Sequence, residues 1–164
     1  MSDERYEAGM RVRREVLGDE HVDRAQANTS AMTRPFQEFI TRGAWGDVWT
    51  RPGLDRRTRS CVTLALLAAL GHERELALHV RAALRNGLDA KEIGEVLLHT
   101  AVYAGVPAAN AALAVAQRTL ADLGVADALP GGEGERQRAG GRGSSGEGER
   151  QRAGGRGSGS EGNG

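Results

Sequence analysis

The sequence predicts an all-α domain, and three observations carry that expectation. Upstream of residue 126, apolar residues recur at three- and four-residue intervals. No stretch there alternates with period two or gathers β-branched residues as a strand does. Glycines, prolines and cap residues punctuate the chain at helix-length spacing.

Each element has its own local reason. Asp3 to Leu17 forms a first helix with Gly18 as its stop, and a short helical or irregular piece follows through Ala27. Thr33 is placed to cap a helix with Pro35 in its first turn, running to about Ala44. The stretch "WGDVWTRPGLDRR", residues 45–57, then interrupts the helices, and Arg51-Pro52-Gly53 turns the chain. Asp55 caps the next helix, which ends at Leu70 with Gly71 behind it. A helix from His72 to Arg85 stops at Asn86-Gly87, and Asp89 with Glu92 makes a capping-box-like start for Lys91 to Ala104. Gly105 breaks the chain, Pro107 opens the final helix, and Gly124 stops it.

The chain has 164 residues, of which 1–125 are read as one helical domain and 126–164 as a separate tail. "GEGERQRAGGRGS" occurs twice in the tail, at Gly132–Ser144 and Gly146–Ser158, with no aliphatic side chain larger than Ala. Such a segment buries too little apolar surface to offset its ordering entropy, so disorder is expected. Its arginines resemble those of single-strand nucleic-acid binders, but its glutamates cancel most of the charge and no aromatic is present for stacking.

Charge excludes several functions. Basic and acidic residues number 22 each; six and five of these lie from Gly131 onward, so the remaining 16 and 17 also balance. No basic field points to nucleic acid. Lys91 is the sole lysine, on an expected exposed helix start, which leaves Schiff-base chemistry without a good candidate. Cys61 is the sole cysteine, excluding a disulfide framework, a CxxC pair and a thiolate zinc site, and it is expected to be buried and inert. The charged N-terminus lacks an apolar signal region and the run Cys61–Leu70 is too short to span a bilayer, so no membrane partner and a cytoplasmic location are expected.

Chemistry concentrates on "HERELALHVRAALRN", residues 72–86. Leu76, Val80, Ala83 and Leu84 form its apolar stripe, and His72, Glu75, His79 and Asn86 line one edge. Glu75 and His79 stand one turn apart, so the carboxylate is placed to bond the imidazole, raise its pKa and make a general acid or base. The same spacing also suits a partly solvated helix face, and Glu95 with His99, followed a turn later by Tyr103, repeats it on the next helix. A metal bound by His72, Glu75, His79 and His99 matches neither HExxH nor a paired ExxH pattern, so none is expected. Arg51, Arg56, Arg57 and Arg59 flank the turn and can grip carboxylates bidentately, while Trp45 and Trp49 can wall an apolar pocket or pack in a core or interface.

"WGDVWTRPGLDRRTRS", "ELALH" at residues 75–79 and "RNGLDAKEIGEVLLHTAVYAGVPAAN" at residues 85–110 resemble the carboxymuconolactone decarboxylase family of the alkylhydroperoxidase D-like superfamily. The resemblance spans nearly all of residues 3–124, and its "WGxVWxRPGLD" element is the more specific marker. It implies a helical fold assembled into a homo-oligomer, a trimer or hexamer, with sites near subunit contacts. It also implies cofactor-free decarboxylation of a lactone dicarboxylate, 4-carboxymuconolactone, to 3-oxoadipate enol-lactone and carbon dioxide in aromatic catabolism by the β-ketoadipate route. Thiol peroxidase activity, known elsewhere in the superfamily, is excluded because "HERELALH" holds no cysteine. On this resemblance His79 is the general acid, tuned by Glu75; Arg51 and Arg59 bind carboxylate or oxyanion; Trp49, His72, His99 and Tyr103 line the pocket. Action on another lactone, or a non-catalytic binding or assembly role, remains the alternative.

Overall fold

The computed structural model describes residues 3–125. Expectations for the duplicated segment lie outside the described residues. Among the described residues seven α-helices follow one another: α1 (Glu4–Leu17), α2 (Asp19–Ala27), α3 (Arg34–Ile40), α4 (Arg56–Leu70), α5 (Glu73–Arg85), α6 (Ala90–Ala104) and α7 (Val106–Asp122). Among the described residues there is no strand. No helix among the described residues is long and apolar enough to cross a membrane.

The caps explain most boundaries. Asp3 accepts from the Tyr6 amide at 3.2 Å to start α1, and Asp55 accepts from the Thr58 amide at 2.6 Å to start α4. Asp89 and Glu92 form a complete capping box, each side chain taking the other's backbone N–H. Gly71 closes α4 in the left-handed conformation, φ 71°, which costs glycine nothing.

Two expectations are corrected. Thr33 does stand at the N-cap position of α3, but its side chain makes no capping bond; its hydroxyl accepts from the Ser30 amide at 2.9 Å and closes the preceding turn. The helix also does not end near Ala44. It widens without a break into a π-helix over Thr41–Val48, so the tryptophan stretch begins inside a helix. This π-helix crosses α1 with no room for a side chain: a Cβ on Gly9 of α1 would stand 2.8 Å from the Gly46 nitrogen and closer still to the Thr41 carbonyl oxygen. Local pattern carries no sign of that distant contact.

Two apolar clusters hold the fold. Leu64, Leu76, Val80, Ile93, Leu97 and Leu120 join α4 to α7. Val12, Val16, Leu17, Val22, Trp45 and Ala82 join α1, α2, the π-helix and α5. Helix α5 therefore serves both, with Leu76, Val80 and Ala83 facing one cluster and Ala82 the other. Its edges between these faces are where polar groups are drawn into the interior.

Candidate functional site

His79 sits on α5 between the two apolar faces. Its Nδ1 is buried and, among the described residues, has no hydrogen-bond partner. Burial holds its pKa down at about 4, His21 pushes the same way, and Glu75 opposes them too weakly to win. Glu75 is exposed and makes no hydrogen bond to His79; it raises the imidazole's pKa as expected, but desolvation outweighs one solvated carboxylate a turn away, so the net shift is downward. His79 is thus a neutral imidazole at pH 7 in the free chain, with an unspent ring nitrogen.

The same edge of α5 is tied to α4. Asn86, two turns beyond His79, donates through Nδ2 to the Ser60 hydroxyl at 2.9 Å. Trp49 packs on the second cluster, as Leu78 does, with ring centroids of Trp45 and Trp49 5.2 Å apart at 33°. Leu78 and Ala82 flank His79 in sequence on α5, so the tryptophan pair buttresses the helix that carries it.

The four arginines of the turn separate into distinct roles. Arg56 pairs with Glu15 of α1. Arg57 pairs with Glu92 and also donates to the Gly87 carbonyl, fastening α4 to the start of α6. Arg59 donates from Nη2 to the backbone carbonyl of Arg51 at 2.9 Å, and its Nε is buried without a partner. Arg51 is exposed, and its guanidinium has no partner among the described residues.

The remaining residues lie apart within one chain. His72 is exposed and occupies the N-cap position of α5 without a side-chain capping bond. The rings of His99 and Tyr103 lie 5.0 Å apart, tilted by 49°, on the exposed side of α6. His99 lines a shallow pocket of about 480 Å³ with Glu95, Leu98, Val102 and Val106, to which α5 contributes nothing. Cys61 is half-buried against the first cluster. Among the described residues, no three His, Cys, Asp or Glu side chains form a group fit to hold a metal ion.

Sequence reasoning passed over a polar group at the other wall of α5. A cleft of about 960 Å³ is lined by Arg13, His21, Arg24, Arg74, Arg81 and Arg85, together with Gln37 and Glu75. Arg13 lies in the buried register of α1, beside Val12 and one turn before Val16 and Leu17. A charged residue in an apolar stripe was the available signal.

With tryptophan buttress, exposed arginine and buried histidine in view, the class is that of a small all-helical enzyme scaffold. The chain belongs to the carboxymuconolactone decarboxylase family, whose profile matches residues 34–118. It is 52% identical to a 4-carboxymuconolactone decarboxylase of Acinetobacter baylyi over 127 residues, 77% of this chain and 95% of that protein. It is 48% identical to a nitrosuccinic acid decarboxylase of Metarhizium robertsii over 118 residues, 72% of this chain and 82% of that protein. A 4-carboxymuconolactone decarboxylase of Pseudomonas putida matches at 57% over 44 residues, 27% of this chain and 92% of that sequence.

Proposed function

We propose that the protein is a carboxy-lyase converting 4-carboxymuconolactone to 3-oxoadipate enol-lactone and carbon dioxide, in the catabolism of aromatic compounds. The observation that carries the reading is 52% identity sustained across 95% of a decarboxylase of that name. The substrate is its own electron sink. The bond from the ring carbon to its carboxylate breaks, carbon dioxide leaves, and the electron pair moves through the ring double bond into the lactone carbonyl. The carbon beside that carbonyl then takes up one proton. A bound cofactor has no step to perform in this sequence.

Arg51 is the carboxylate or oxyanion ligand, because its guanidinium is exposed and uncommitted. Arg59 fixes the Arg51 backbone through the bond at 2.9 Å and so positions it. His79 delivers the proton. With its pKa held at about 4 in the free chain, His79 holds a proton once the substrate's two negative charges offset the burial penalty. Glu75 adds a smaller push in the same direction. Trp49 walls the site.

His72, His99 and Tyr103 complete the pocket in a homo-oligomer of the alkylhydroperoxidase D-like type, acting in the cytoplasm. Support for assembly comes from large apolar side chains left in water on α4, α6 and the start of α7, such as Leu70 at 65%, Val102 at 76% and Val106 at 71% exposed.

A second reading, decarboxylation of a nitro-substituted dicarboxylic acid, is favoured by the 48% identity to the Metarhizium protein. Proton NMR in heavy water, with chelator-treated protein and freshly generated 4-carboxymuconolactone, separates the two. Enol-lactone carrying one deuterium beside the carbonyl is the expected result. Persistence of the lactone while nitrosuccinate is consumed would establish the second reading instead.

A further inference from the structure

Arg13 is the most deeply buried charged side chain among the described residues, at 4% exposure. Its Nη1 donates to the Thr41 hydroxyl at 3.3 Å and its Nη2 to the Gln37 side-chain oxygen at 3.0 Å. Both partners are neutral. Its Nε has no partner at all, and no carboxylate pairs with it among the described residues. Burial lowers its pKa, yet a guanidinium stays charged in proteins. A buried cation without a counter-ion among the described residues is costly, and an anion entering beside it would offset that cost.

The cleft that Arg13 lines is built to admit one. Arg74 and Arg85 stand on its α5 wall, and neither has a carboxylate partner among the described residues. Gly18, at φ 89°, leaves room for the Arg85 guanidinium to lie over the α1–α2 turn and donate to the Leu17 carbonyl at 3.0 Å. Two of the three carboxylates at the cleft are already engaged, Asp19 with Arg14 at 3.0 Å and Glu20 with Arg24 at 3.4 Å. His21, at the same cleft, has its pKa lowered by burial and then by Arg13, Arg24, Arg85 and Arg74 together, so their positive field converges there. Leu17, Phe36 and Leu78 add apolar wall for a carbon skeleton, which inorganic phosphate lacks.

We propose that this cleft binds a small dicarboxylate, one carboxylate on the buried guanidinium of Arg13 and the other held at the α5 wall by Arg74. The ligand is either the acid on which the enzyme acts or a separate dicarboxylate. The shared chemistry is two carboxylates on a short carbon chain. The site stands whichever reaction the enzyme performs.

Titration calorimetry of the full chain with succinate tests it, with inorganic phosphate at equal ionic strength as comparator. Succinate should bind more tightly than phosphate, Arg74→Gln should weaken it about tenfold, and Arg13→Met should abolish it. Arg74 is exposed and unpaired among the described residues, so its variant keeps the test decisive if Arg13→Met fails to fold. Absence of succinate binding, or affinities unchanged in the folded variants, would overturn the proposal. The source of the ligand follows from kinetics of Arg74→Gln on the lactone. KM raised about tenfold at constant kcat identifies the enzyme's own substrate, and unchanged KM with weakened succinate binding identifies a separate dicarboxylate.

Discussion

Arg59 reaches back eight residues to donate from its guanidinium to the carbonyl of Arg51 at 2.9 Å. One arginine therefore holds the backbone of another whose own guanidinium has no partner among the described residues. Arg51→Lys should raise KM about tenfold, because an ammonium cannot reproduce the bidentate fork. Arg59→Gln should cost a similar factor in kcat/KM by loosening the turn. Since both act on one contact, the double variant should lose much less than the product of the two, measured by steady-state kinetics.

His79→Gln should lower kcat by about 10²-fold or more, the range for losing a general acid. Its melting temperature should stay close to that of the parent or rise, because the buried Nδ1 has no partner to lose. Full activity in the variant would remove His79 from the reaction.

The same histidine gives a pH signature. The unfolded chain protonates it near 6.5, whereas the folded chain resists protonation until about pH 4. Between those values the unfolded state binds more protons, so stability falls as the pH falls. The loss from this one group is about 3 kcal/mol. Urea unfolding at pH 7 and at pH 4.5 should show that slope in the parent and a flatter one in His79→Gln.

Gly9→Ala should destabilise the fold by about 3 kcal/mol or prevent it, since the added methyl meets backbone atoms of the π-helix rather than a movable side chain. Gly94→Ala, where a Cβ meets nothing within 4 Å, should be neutral or stabilising on α6. Thermal melts of the two variants distinguish a packing requirement from a general preference for glycine.

Loss of the capping box offers a check on energetics away from the site. Asp89→Ala removes the bond to the Glu92 amide at 2.8 Å and should cost about 1 kcal/mol in urea unfolding. Kinetic constants should stay as in the parent.

Helices, their caps and the α5 stripe could be read in the sequence because each depends on residues within a turn or two of one another. Asp55, Gly71, Asp89 and Glu92 act on neighbouring backbone groups, and periodicity of Leu76, Val80 and Ala83 needs only a helix. The family marker beginning at Trp45 was legible for the same reason, as an unbroken run of residues. Tertiary structure alone decided the rest. Whether Arg56, Arg57 or Arg51 is free depends on Glu15 and Glu92, 41 and 35 residues from their partners. His79 loses its proton because two apolar clusters close on α5 and exclude water, an effect that outweighs the nearby Glu75. Arg13 is buried because Thr41 and Gln37, 28 and 24 residues away, fold over it. Local order follows from short-range backbone geometry, whereas charge pairing and desolvation are set by which distant segments meet.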